Sequence, residues 1–217
     1  MKTKVWAVLL ACVLGVYAAS EARGQDKFYT VIFGVQDGPN RFTEAHSFAT
    51  FVRARRQPVR ILDQATISWL PASGVVDLRN PPEKGTNHSL KKSLELVSSV
   101  QSIAQWGPFE IKEELFDRAK KQEKFLREGG TLYKAVDFTT RPAGVAVNCE
   151  HSISDIVRNP GEPFVRTGTA RGHWGSFLVA GHLKHWMIDP NVVHDWLERP
   201  LGLDNYRIAR KGWGWPD

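Results

Sequence analysis

The chain has 217 residues, of which 42% are hydrophobic and 24% charged, and it carries a formal net charge of +6. That balance belongs to a globular chain able to bury a real core and excludes a disordered polyelectrolyte. The basic residues are scattered, which argues against nucleic acid and leaves at most weak association with an anionic envelope surface.

The N-terminus reads as a secretory signal peptide over 1–24. Lys2 and Lys4 precede Val5 to Ala19, 15 residues of nearly unbroken apolar character. That run is shorter than the ~20 residues a membrane-spanning helix needs. Val16-Tyr17-Ala18 and Ser20-Glu21-Ala22 both place small residues near a cleavage point. Leu9-Leu10-Ala11-Cys12 loosely resembles a lipoprotein box, but the apolar run continues past Cys12. The expectation is an exported protein, periplasmic or extracellular. Its net charge falls to +4 once three positive and one negative residue (Lys2, Lys4, Arg23, Glu21) leave.

Residues 25–217 read as a single α+β domain, a small antiparallel sheet packed against helices. Lys27 to Val35 has strand character and ends at the turn cluster Gln36-Asp37-Gly38-Pro39-Asn40. His46 to Arg53 is a second strand, with His46, Phe48, Thr50 and Val52 on one face. A basic loop, Arg53 to Arg60, leads to a third strand, Ala65 to Leu70, stopped by Pro71, and the three form an antiparallel meander. Leu90, Leu94, Val97, Val100 and Ala104 then predict a helix capped by Thr86 or Asn87. Pro108 opens a second helix with Ile111, Leu115, Ala119 and Leu126 as its stripe, closed by Gly129-Gly130. Together these form a helical insertion at about 86–130. Leu132 to Phe138 returns to the sheet, and Asn159-Pro160-Gly161 breaks the chain. One helix is expected around Trp174 to Met187, another after Asp189-Pro190, and an irregular tail from Lys211.

Chemistry concentrates in Asn148-Cys149-Glu150-His151. Cys149 is one of two cysteines, and the other, Cys12, lies in the signal stretch. Export therefore leaves Cys149 without an intramolecular partner. Asn148 is a good helix cap and Glu150 suits a first turn, which sets Cys149 at a helix start, where backbone N–H groups lower a thiol pKa below ~8.5. A nucleophilic thiol needs a base. Among seven histidines, His46 stands out because it opens a strand.

The run Asn148-Cys149-Glu150-His151 resembles the NCEH motif of the lecithin:retinol acyltransferase-like proteins, a circularly permuted branch of the NlpC-type papain-like fold. His46 to Val52 resembles that family's histidine strand, and the chain order, histidine before cysteine, also agrees. The resemblance implies a permuted papain-like fold and thiol chemistry on an acyl or amide carbonyl through a thioacyl-enzyme intermediate. Cys149 is then the nucleophile and His46 the base. The family's third polar residue, three positions before a proline, falls on Ser68, with Thr66 on the same face. A serine orients imidazole without charge stabilisation. The two inserted helices also depart from compact members.

The function expected is a cysteine-dependent amidohydrolase or peptidase acting on peptide or peptidoglycan bonds, without a cofactor. The alternatives are lipid acyl transfer and a non-catalytic exported binding domain whose site has decayed. His151 reads as structural and Glu150 as a dipole partner. His182 and His185, with His173, His194 or Asp195, have metal-compatible spacing but no supporting motif, so no metal is expected. The tryptophans read as core, with only Trp213 and Trp215 inviting a surface role.

Overall fold

A computed structural model describes residues 24–36, 45–98, 102–142, 144–158 and 171–214. The signal stretch through Arg23, the Asp37-Gly38-Pro39-Asn40 cluster, the Asn159-Pro160-Gly161 breaker and Trp215 lie outside them. The elements are β1 (Lys27–Gln36), β2 (His46–Arg56), β3 (Val59–Ile67), β4 (Trp69–Pro71) and β5 (Glu83–Asn87), then α1 (Leu90–Val97), β6 (Ser102–Ile111) and α2 (Glu113–Arg127). After these come β7 (Leu132–Tyr133), β8 (Ala146–Val147), α3 (Cys149–Ser154), α4 (His173–Leu183) and β9 (Ile208–Arg210). The α+β class holds, but both sheets are mixed, not antiparallel.

The larger sheet runs β3-β2-β1-β6-β9, with only the β6–β9 pair parallel. The smaller runs β4-β5-β7-β8, with β7 and β8 parallel. β1 is buried on both faces, as a central strand with a near-continuous apolar sequence should be. Ile32, Ala49, Phe51 and Ile67 face Leu115 and Phe116 of α2, Ile153 of α3 and Val179 and Leu183 of α4. On the opposite face Val31, Phe33, Val35 and Phe48 meet Leu90, Leu94 and Val97 of α1. Period-two alternation thus feeds two separate cores through one sheet.

The basic loop expected over Arg53 to Arg60 is strand instead. β2 and β3 pair as far as Arg56 and Val59, leaving only Gln57-Pro58 as the turn. Arg53 and Arg55 extend because Asp26 pairs with both, at 2.7 Å each. The insertion expected at 86–130 contains β6, which pairs with β1 along its length. Ala104, Pro108 and Ile111, read as helical, belong to that strand. Pro108 has no N–H to give a ladder, and the β1–β6 register shifts between Thr30 and Ile32, opposite Gly107-Pro108, as a bulge allows.

α1 is shorter than the spacing suggested and is capped by Ser89, whose hydroxyl accepts the Lys92 N–H. Thr86 and Asn87, the expected caps, are the last residues of β5. α2 starts at Glu113, with Glu113 and Glu114 at its positive end. No α-helix follows Asp189-Pro190 among the described residues. Short 3-10 turns at Asp195–Leu197 and Leu203–Asn205, separated by Pro200, lead into β9 instead. Expected to return to the sheet as far as Phe138, the chain does so only at Leu132–Tyr133, and Phe138 sits in a 3-10 turn. No described helix is long and apolar enough to cross a membrane.

Candidate active site

α3 begins where the sequence placed it. Asn148 is its N-cap, and its side-chain oxygen accepts the His151 N–H at 2.8 Å. The cap is itself anchored. Asp137, wholly buried in the 3-10 turn after β7, accepts the Asn148 backbone N–H at 2.9 Å and also bonds the His151 ring at Nδ1. That bond ties His151, read from the sequence as structural, to Asp137.

Beyond the cap, Glu150 faces α4. A Cβ placed on Gly175 would lie 1.6 Å from its carboxylate oxygen, so glycine is what lets α4 cross this turn. Glu150 is therefore a buried packing partner, not merely a surface dipole partner. Gly34 serves the same closeness on β1, where an added Cβ would sit 2.9 Å from the Ser176 hydroxyl. Ser176 donates to the Phe33 carbonyl at 3.0 Å and meets the Ser47 hydroxyl at 2.6 Å. These contacts seat α4 on β1 and β2, with α3 between α4 and the sheet's smaller neighbour.

His46 opens β2 and is buried, stacked on Phe48 with ring centroids 5.5 Å apart. Its Nε2 meets the Ser68 hydroxyl at 3.0 Å. Ser68 lies between β3 and β4, where the chain passes from one sheet to the other. Asn87 holds that crossing with both ends of its amide, accepting the Ser68 N–H at 2.8 Å and donating to the Thr66 carbonyl at 2.7 Å. The next residue, His88, donates its backbone N–H to the Ser68 carbonyl. Thr66 does not join His46; its hydroxyl meets those of Thr50 and the Gln64 amide.

The thiol of Cys149 receives the backbone N–H of Ser47, the residue after His46. All three predicted residues, Cys149, His46 and Ser68, therefore converge on the start of β2. They do not form a continuous chain, because His46 Nδ1 is buried with no hydrogen-bond partner among the described residues. The electrostatics also differ from expectation. Burial, and then the charge of Glu150, push the Cys149 thiol up to about 12, despite the helix start beneath it. A six-residue helix has a small dipole, and desolvation of a thiolate outweighs it. Burial, and then the neighbouring His88, push His46 down to about 3. Thiol and imidazole are thus both neutral at rest.

Tyr133 completes the setting. It pairs with Val147 in the β7–β8 ladder and is buried, and burial followed by the adjacent Cys149 pushes its phenol far up. It stays protonated and can act as a donor. Tyr133, Asp137, Asn87 and His88 escaped sequence reasoning. Only Asp137 gave any signal, as the one acidic residue between Gly130 and Asn148.

Other candidates disperse. His182 lies in the last turn of α4 and His185 in the 3-10 turn beyond it, both exposed. Among the described residues no group of three or more His, Cys, Asp or Glu is arranged to hold a metal ion. Trp213 is packed, stacked on Phe109 at 5.3 Å with Lys184 over its ring.

No family model, curated protein or solved structure matches the chain.

Proposed function

We propose that this chain is an exported cysteine-dependent amidohydrolase or peptidase of the permuted papain-like kind. The observation that carries the reading is His46. Its Nε2 is held by Ser68 while its buried Nδ1 is unpartnered, one residue from the amide that meets the Cys149 thiol. Burying a ring nitrogen without a partner is costly unless the nitrogen is used.

With Ser68 Oγ accepting from Nε2–H, the bare lone pair is on Nδ1. Attack by Cys149 Sγ on a carbonyl carbon transfers the thiol proton to Nδ1 as the C–S bond forms, so the rest state need not hold a thiolate. The oxyanion takes hydrogen bonds from the Cys149 N–H and the Tyr133 hydroxyl. Collapse expels the amine, which leaves with the proton from His46, and the thioester remains on Cys149. Water, deprotonated by the same nitrogen, then releases the acid. Peptide or peptidoglycan amides fit an exported enzyme of this chemistry. A lipid amine or alcohol in place of water would make it an acyltransferase.

The test is amine release from purified peptidoglycan and from a mixed peptide pool, with wild type and C149A in parallel. Release by wild type alone supports the reading, and equal release by both overturns it. A second reading, a non-catalytic exported binding domain, is favoured by the missing thiol–imidazole hydrogen bond and the raised thiol pKa. It predicts retained binding to such material with no release.

A further inference from the structure

We infer that Asp137 is the positioning residue for the Cys149 thiol, holding the first turn of α3 through Asn148 and His151. This rests on the reading of Cys149 as nucleophile. Asn148 and His151 bracket Cys149, and one buried carboxylate reaches both: the Asn148 backbone N–H at 2.9 Å and the His151 ring at Nδ1. A third contact, to the Asn148 side-chain nitrogen, is marginal at 3.5 Å. Asn148 in turn accepts the His151 N–H, which closes a ring of bonds around the turn that carries the thiol.

A helix of six residues needs only its cap to satisfy its first N–H groups. Burying a carboxylate beneath it is costly before its hydrogen bonds are counted. The same charge raises the pKa of the nearby thiol, so it does not serve to make the thiolate. What it provides is placement. A nucleophile must be held within about 0.5 Å of its productive position, and here Asn148 before it and His151 after it are tied to one rigid acceptor in a different segment.

The experiment uses 4-nitrophenyl acetate turnover and the pH dependence of iodoacetamide alkylation, on wild type, D137N, H151Q and C149A, with melting followed by circular dichroism. In D137N kcat falls about 100-fold, the order expected for a displacement near 1 Å, with KM within about twofold. Its alkylation profile moves to lower pH, because a negative charge beside the thiol is gone. H151Q keeps that charge; its kcat falls too, without the move to lower pH. A purely structural role would lower the melting temperature and, well below it, leave the kcat of the folded protein within about threefold of wild type. A D137N kcat within about threefold of wild type overturns the inference while C149A remains inactive. If D137N does not fold, retained kcat in H151Q overturns it instead. C149A turnover equal to wild type overturns the nucleophile reading itself.

Discussion

At the residue scale the site is defined by two groups that burial keeps neutral. Cys149 is pushed up to about 12 and His46 down to about 3, so no thiolate–imidazolium pair exists at rest. Alkylation of Cys149 by iodoacetamide at pH 7 should be more than about 100-fold slower than that of a free thiol near 8.5, and should keep rising into the alkaline range. A plateau reached by neutral pH would contradict the raised pKa. Under the proposed chemistry, turnover depends on proton transfer during attack, and on which nitrogen of His46 is bare. Ser68 sets that through one neutral hydrogen bond, worth about 1 kcal/mol, so S68A should lower kcat about fivefold with KM unchanged. A loss of several thousandfold would mean that Ser68 does more than orient.

At the element scale α3 is short and owes its place to its cap and to α4. N148A should lower stability by about 1 kcal/mol, read as a reduced denaturation midpoint. Gly175→Ala would gain about 0.5–1 kcal/mol of helix propensity, yet its Cβ meets Glu150 at 1.6 Å and overpacking of that kind costs about 1–3 kcal/mol. The net expectation is a lower melting temperature, and a rise would contradict the close α3–α4 contact.

The same scale shows what the sequence made legible. The start of α3 was readable because Asn148 caps by a local rule, and β1 and β2 because their alternation is strong. The stretch from Leu90 to Ile111 was misread because apolar residues of α1 and β6 happen to fall in one helical phase. Only pairing with β1, distant in sequence, decides that Ala104 to Ile111 is strand. Likewise Arg53 to Arg60 has loop composition and becomes strand through Asp26 and the β2–β3 register. That Cys149, His46 and Ser68 gather near the start of β2 was foreshadowed by motif and chain order. Asp137, Asn87 and Tyr133 act through contacts that no local pattern encodes.

At the scale of the whole molecule His46 and Cys149 shape stability against pH. An unfolded histidine takes a proton near 6.5 and folded His46 resists it down to about 3, so the unfolded state binds more protons between these values. The His46 contribution is therefore full above pH 6.5 and is lost as pH falls toward 3. For Cys149 the sign reverses. Its contribution is full below 9 and is lost as pH rises toward 12. Urea midpoints across pH should show both limbs. H46N should flatten the acid limb, and an unaltered acid slope would show that His46 is not held neutral.

The central claim, that Cys149 attacks carbonyl carbon with His46 as its base, is tested most directly by capturing the acyl-enzyme. Protein mixed with excess 4-nitrophenyl acetate and quenched in acid should gain one acetyl mass, mapped by peptide fragmentation to Cys149. The adduct should be absent in C149A and strongly reduced in H46A. An acetyl group found elsewhere, or one that forms on Cys149 equally fast without His46, would contradict the account.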